Sequence, residues 1–425
     1  MADKTLKSLN FGGADNYFPL PLVTAADNNK ILSVVNGEWA AAEAPNGGSG
    51  QYVWSKHETE NGKILEYVIG ETEADYPDGG WSDGAWYKLK LAITPYLSFI
   101  GNEDFTLHTA NTTKNWDGTL EYSTDKSTWN TWDGTEISSS GSKLYLRGTG
   151  NTKITGNSSI YRFVFAGTDT LKIACEGNIE NLLDYKTVSA GGHPTMDSDC
   201  YSSMFQGCTA LTTAPELPAT TLASWCYGSM FKDCTALTTA PALPATTLAS
   251  YCYQSMFYGC TALTTAPSVL PATTLAINCY HSMFRGCTSL TTAPELPATT
   301  LAERCYYEMF RGCTSLASAP ALPATTLDIY CYSSMFDSCA SLTTAPSLPA
   351  TTLAGSCYGF MFYGCSNIKL STAQTGEYQT AYRIPKSGTG KTANYALSDM
   401  FTNTGGTFTG TPSINTTYYT SNTVV

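Results

Sequence analysis

From residue 200 onward, hydrophobic and polar positions recur with a period of 26, as in "CYGSMFKDCTALTTAPALPATTLASYCYQSMFYGC", which runs from Cys226 to Cys260. Cys200, Cys226, Cys252, Cys279, Cys305, Cys331 and Cys357 open seven copies, and one step of 27 arises from Val269, inserted in "APSVLP". A second cysteine follows eight residues later in each copy, at Cys208, Cys234, Cys260, Cys287, Cys313, Cys339 and Cys365. Such self-similarity marks a stacked repeat architecture, because one short unit cannot close a core alone. An eighth copy, "YALSDMFTNTGG" from Tyr395, keeps Met400 and Phe401 but neither cysteine, as expected of a capping repeat.

Within one copy, Leu222, Cys226, Met230 and Cys234 stand four apart with Phe231 beside Met230, which predicts the buried stripe of an amphipathic helix. Thr221 is the expected N-cap, Pro218 lies just upstream, and Asp233, replaced by Gly in most copies, is expected to end the helix. "ALTTAP" then predicts a short strand stopped by Pro241. The expected fold is therefore a right-handed α/β solenoid of strand-turn-helix units, leucine-rich-repeat-like, with its strands in one parallel sheet carrying a monotonous Thr surface. Its expected core is Leu222, Cys226, Met230, Phe231, Cys234, Leu237 and their equivalents.

Upstream the pattern changes to short alternating runs, which predict small all-β modules. Residues 1–44 form an expected N-terminal attachment segment with a hairpin at Asn36-Gly37, and "PNGGSG" reads as a linker. Residues 51–91 hold three strand-like runs, a small antiparallel module, and 92–166 predict an Ig-like β-sandwich. Residues 167–199, with "LKIACEGNIENLLDY", are the expected N-terminal cap of the repeats at 200–370, and 371–425 hold the capping repeat and tail. Asp104, Asp117, Asp125 and Asp133 fall in sandwich turns and read as turn formers rather than catalytic or calcium-binding groups.

Composition narrows the chemistry. The chain has 425 residues, 42% hydrophobic and only 14% charged, with a net charge of −12 and no basic stripe, which argues against a nucleic-acid partner. The N-terminus lacks the pattern of a cleaved export signal, and no run is long and apolar enough for a membrane helix, so cytoplasmic synthesis is expected. In the expected helices the paired cysteines would lie about 12 Å apart, and neighbouring helices about 8 to 10 Å apart, beyond a disulfide's reach of about 7 Å. Reduced thiols packing as small hydrophobes are the favoured reading. Disulfides in another geometry stay open. A metal ladder is disfavoured, because the spacing is wrong and His57, His108, His193 and His281 do not cluster. No cofactor, metal or catalytic residue is expected.

The copies differ at three positions, −1, +2 and +6 from the first cysteine, which the helical reading places on one outward face. This face is rich in Tyr, Trp and Arg rather than in Lys, Glu and Gln, so it is the expected ligand surface. The candidates are Trp225, Tyr251, Tyr258, Asn278, Arg285, Arg304, Tyr307, Arg311, Tyr330 and Tyr363. Their truncation is expected to leave folding almost unchanged.

"MFxGCTSLTTAP" and "LPATTLAxxCYxxMF", over roughly 195–370, resemble the BspA-like leucine-rich repeats of bacterial and protist surface proteins. "NNKILSVVNGEW" and "YVWSKHE" with "YPDGGWSDGAWYKL" look like modules on tail fibres of phages and prophages. The resemblance implies adhesion or host recognition rather than catalysis. The expected protein is a phage or prophage tail receptor-binding protein, located on the virion and meeting a host cell-surface glycan or protein. Its N-terminal modules would meet other tail proteins, and a homo-oligomer such as a trimer fits a fibre. The alternatives are a bacterial surface adhesin and, with few carboxylates to support it, a virion-associated glycan hydrolase.

Overall fold

The computed structural model describes residues 94–156 and 159–425, together with the backbone of seven strands within residues 1–93. The chain divides into two compact units, 1–93 and 94–425. In the first unit, strand Lys30–Val35 pairs antiparallel with Glu38–Glu43, with Val35 opposite Glu38, while the expected turn at Asn36-Gly37 lies outside the described residues. Tyr52–His57 lies between Ile64–Gly70 and Trp86–Lys90 in a three-stranded antiparallel sheet.

The second unit starts with two sheets whose inner faces meet. Its six-stranded sheet runs in the order Asn130–Trp132, Thr119–Ser123, Lys143–Thr149, Leu97–Gly101, Ile173–Glu176, Leu211–Thr213. The smaller sheet holds Ile137–Ser138, Thr106–Thr109 and Phe163–Ala166. Apolar alternation points Leu97, Phe99, Leu107, Leu120, Leu144 and Phe163 into the shared core, where Phe99 packs against both Phe163 and Phe165. The larger sheet continues past residue 166, because its last strand, Leu211–Thr213, belongs to the first repeat and pairs parallel with Ile173–Glu176. The four turn aspartates act as backbone caps. Asp125 accepts the Thr128 and Ser127 amides, which hold its carboxyl below the usual range, and Asp104, Asp117 and Asp133 accept the amides of Ser142, Thr152 and Thr135.

The repeats are not strand-turn-helix units, and the expected α/β solenoid of leucine-rich-repeat type is overturned. Among the described residues the one α-helix is Asn181–Ser189, outside the repeats. Where a helix was expected, the chain runs as overlapping β-turns. Cys226, Met230 and Cys234 donate their amides back to the carbonyls of Ala223, Tyr227 and Phe231, each an i to i−3 bond. The third residue of each of these turns has positive φ, 60° at Trp225, 55° at Ser229 and 60° at Asp233, as type II turns require. Thr221 is thus no helix cap. The Gly found in most copies at Asp233's position is no helix stop either: it supplies the left-handed conformation of the last turn, with φ from 71° to 74° at Gly259, Gly286, Gly312 and Gly364.

The alternate amides point out of the coil along the stacking direction. Tyr227, Ser229, Phe231 and Asp233 donate to the carbonyls of Cys252, Gln254, Met256 and Tyr258 in the next coil, and the scheme repeats down the column. Each four-residue step therefore gives one bond within the coil and one between coils per pair of residues, which satisfies the backbone without helix or sheet. It also turns two adjacent side chains inward and the next two outward. Leu222 is 5% exposed, while Cys226, Tyr227, Met230, Phe231, Cys234 and Leu237 are fully buried. "LTTAP" does not build the expected parallel sheet; apart from Leu211–Thr213 and Thr344–Ala345 it forms isolated bridges such as Thr239 with Thr265. A second file of parallel bridges runs through Thr274, Thr300, Thr326 and Thr352. Val269 is absorbed at a corner, where Leu270 donates to Glu295 and stays buried.

Both ends of this column are closed by their neighbours. At the first coil, the carbonyls of Cys200, Ser202 and Met204 accept from the Ile154 amide, the Thr155 hydroxyl and the Phe163 amide of the β-domain. At the last, Asp399, Phe401 and Asn403 donate to Thr411 Oγ1, the Gly410 carbonyl and Thr409 Oγ1 of the C-terminal tail.

Candidate functional site

The outward pairs of each four-residue step carry the varied letters of the candidate face. Trp225, Tyr251, Tyr258, Arg285, Arg304, Tyr307, Arg311, Tyr330 and Tyr363 are half-buried, and Asn278 is buried. Stacking the coils brings most of them onto one another. Trp225 and Tyr251 lie parallel, with ring centroids 4.4 Å apart. Lys232 and Arg285, from the coils on either side, sit over the Tyr258 ring at 5.0 and 5.4 Å. Arg304 lies 4.7 Å over Tyr330, which also meets the edge of Tyr307. Tyr363 contacts Phe360.

One residue of this face was not anticipated. Glu308 is 5% exposed and bridges Arg285 and Arg311, whose Nη1 stands 2.6 Å from its Oε1, and Arg311 Nε continues the chain to Asp337 Oδ2 at 3.1 Å. The available signal was its position: most copies carry Ser three residues after the first cysteine, and Glu308 replaces it beside two arginines.

These contacts decide what the face can offer. Rings stacked along the column turn their faces to neighbouring coils and their edges to water, so Trp225, Tyr251 and Tyr258 present edges and guanidinium groups rather than open stacking platforms. Four large apolar side chains of this face are exposed: Ile277 at 44%, Ile329 at 46%, Phe360 at 41% and Tyr395 at 75%. Ile277 and Ile329 precede the first cysteine by two residues, Tyr395 holds the −1 position of the eighth coil, and Phe360 the +3 position of the seventh. All four lie along the varied edge.

Inside the column the repeat cysteines are unbridged, buried thiols. The second cysteine of each copy also makes a polar contact. Cys234 Sγ donates to the Phe205 carbonyl of the preceding coil at 3.0 Å, Cys260, Cys287, Cys313, Cys339 and Cys365 repeat this, and Cys208 donates to the Phe163 carbonyl of the β-domain. Burial pushes these thiols up, to about 12 at Cys208, Cys260 and Cys365. Among the described residues no three His, Cys, Asp or Glu side chains gather as a metal would need. His57 lies outside the described side chains.

A cleft at the N-terminal end of the column is lined by Glu180, His193, Met196 and residues 219–223. Glu180 is 1% exposed, burial raises its pKa against the opposing charge of His193, and His193 Nδ1 lies 2.8 Å from its Oε2. No second carboxylate lines this cleft, so it lacks the paired acids of a glycosidase. Among the described residues no helix is long and apolar enough to cross a membrane. Compared with known proteins, the chain matches no family model, no curated protein and no solved structure.

Proposed function

We propose that this is a non-catalytic recognition protein of a phage or prophage tail fibre, which meets the host cell surface through the outer turn face of its coils. The observation that carries the reading is the exposure of Ile277, Ile329, Phe360 and Tyr395 on the varied face, because a merely solvated surface gains nothing from several large apolar groups. The resemblance of the N-terminal text to tail-fibre modules, and of the repeats to bacterial surface proteins, supports the same assignment and puts the N-terminal unit on the virion side.

The test is binding of the labelled protein to a panel of bacterial cells before and after protease treatment of their surfaces. Wild type is expected to bind untreated cells only. Combined Ile277→Ser, Ile329→Ser and Tyr395→Ser should weaken binding by about 30-fold or more, the loss of one hot spot of about 2 kcal/mol. Thr238→Ala and Thr291→Ala, on the opposite "LTTAP" side, should leave it unchanged. Loss in the Thr variants alone would move the site to that side, and no loss in either set would move it to the N-terminal modules.

A further inference from the structure

Two aromatic ladders run through the column. One is all Phe, from Phe205 to Phe362 with Phe401 closing it, and shows that this interior stacks rings without any hydroxyl. The other is all Tyr, from Tyr201 to Tyr358, with every ring buried. Its first member donates to the Ile179 carbonyl at 3.2 Å. Among the described residues, the hydroxyls of Tyr280, Tyr306, Tyr332 and Tyr358, four consecutive coils, have no protein partner, and neither has that of Tyr227. A buried hydroxyl in that state carries its full desolvation penalty, and a sequence that repeats it coil after coil where Phe would stack equally well calls for a partner.

The spacing identifies one. The rings of Tyr280, Tyr306, Tyr332 and Tyr358 follow one another at 5.7, 5.6 and 5.8 Å with planes within 8° of parallel, so their hydroxyls stand about one stacking step apart. That is too far for a direct O–H···O bond of about 2.8 Å and close to two such bonds end to end. We propose that the tyrosine ladder binds a file of buried water, one molecule between each consecutive pair of hydroxyls from Tyr280 to Tyr358. Each water accepts from one phenol and donates to the next. The two inner hydroxyls, Tyr306 and Tyr332, then both donate and accept, and adjacent coils gain a bond that a Phe ladder cannot make.

The experiment is urea unfolding of the full chain with Tyr306→Phe, Tyr332→Phe, the double variant, and Tyr227→Phe combined with Tyr332→Phe as a distant pair. The file predicts that each single substitution lowers the unfolding midpoint. Tyr306→Phe with Tyr332→Phe should lose less than the sum of the two, because they share a water, whereas the distant pair should add. A midpoint unchanged or raised by the single substitutions, as removal of a dry unpaired hydroxyl would give, overturns the proposal. So does an additive adjacent pair.

Discussion

The inside and outside of the same coils obey different rules of repetition. Inside, each ring stacks on its own equivalent, Phe on Phe at 5.5 to 5.7 Å and Tyr on Tyr at 5.6 to 5.8 Å, so a change in one coil disturbs two neighbours and the letters stay fixed. Outside, a neighbour need only be complementary. Trp225 on Tyr251, Lys232 and Arg285 about Tyr258, and Glu308 between two arginines are different solutions to one inter-coil contact. Variation on this face is therefore explained first by neighbours. Only the side chains that no neighbour covers, such as Ile277 and Ile329, ask for a partner beyond the chain.

The largest test of this contrast is alkaline pH, which acts on the inside. Below about pH 8.5 both folded and unfolded chains keep their thiol protons. Above it the unfolded chain releases protons that the folded one holds, because burial pushes its thiols up, to about 12 at Cys252, Cys305 and Cys357, and raises the ladder phenols well above their ordinary value. Stability is thus fully present at neutral pH and falls with rising pH by about 1.4 kcal/mol per pH unit for each such group. Circular dichroism should show cooperative unfolding between about pH 9 and 11. A column still folded at about pH 11.5 would show that the thiols and phenols are not buried as described.

Next in size is a single break in the Phe ladder. Phe284 is fully buried between Phe257 and Phe310, and Phe284→Ala should cost about 3 to 5 kcal/mol in urea unfolding. A cost below about 1 kcal/mol, typical of a surface site, would erase the distinction between inner and outer rows.

The smallest effect sharpens the outer side. Trp225→Ala removes the parallel contact with Tyr251 and should destabilise by about 0.5 to 1.5 kcal/mol, more than the near-zero cost expected of a freely projecting ring. Tyr251→Ala should match it, and the double variant should cost little more than either. Additive losses would mean that the two rings stand apart in solution with their faces open to a ligand.

The amino-acid sequence by itself determined the period, the copies, the insertion of Val269 and which side chains are inside: Leu222, Cys226, Met230, Phe231, Cys234 and Leu237 are all buried. It also held the clue against a helix. Positions spaced strictly four apart drift by about 40° per step around a helix of 3.6 residues per turn, so Leu222 and Cys234 would point about 120° apart. A four-residue turn keeps them in line, and Gly at the seventh position after the first cysteine meets the need of the last turn for positive φ. What only the tertiary structure decided is the backbone path. The Tyr227 amide reaches the Cys252 carbonyl in the next coil, and Cys234 reaches back to Phe205 in the one before. Bonds of that range lie outside any local window, and without them the turn-by-turn conformation, strained at Trp225, Tyr251, Arg304 and Tyr330 by positive φ at bulky residues, has nothing to hold it.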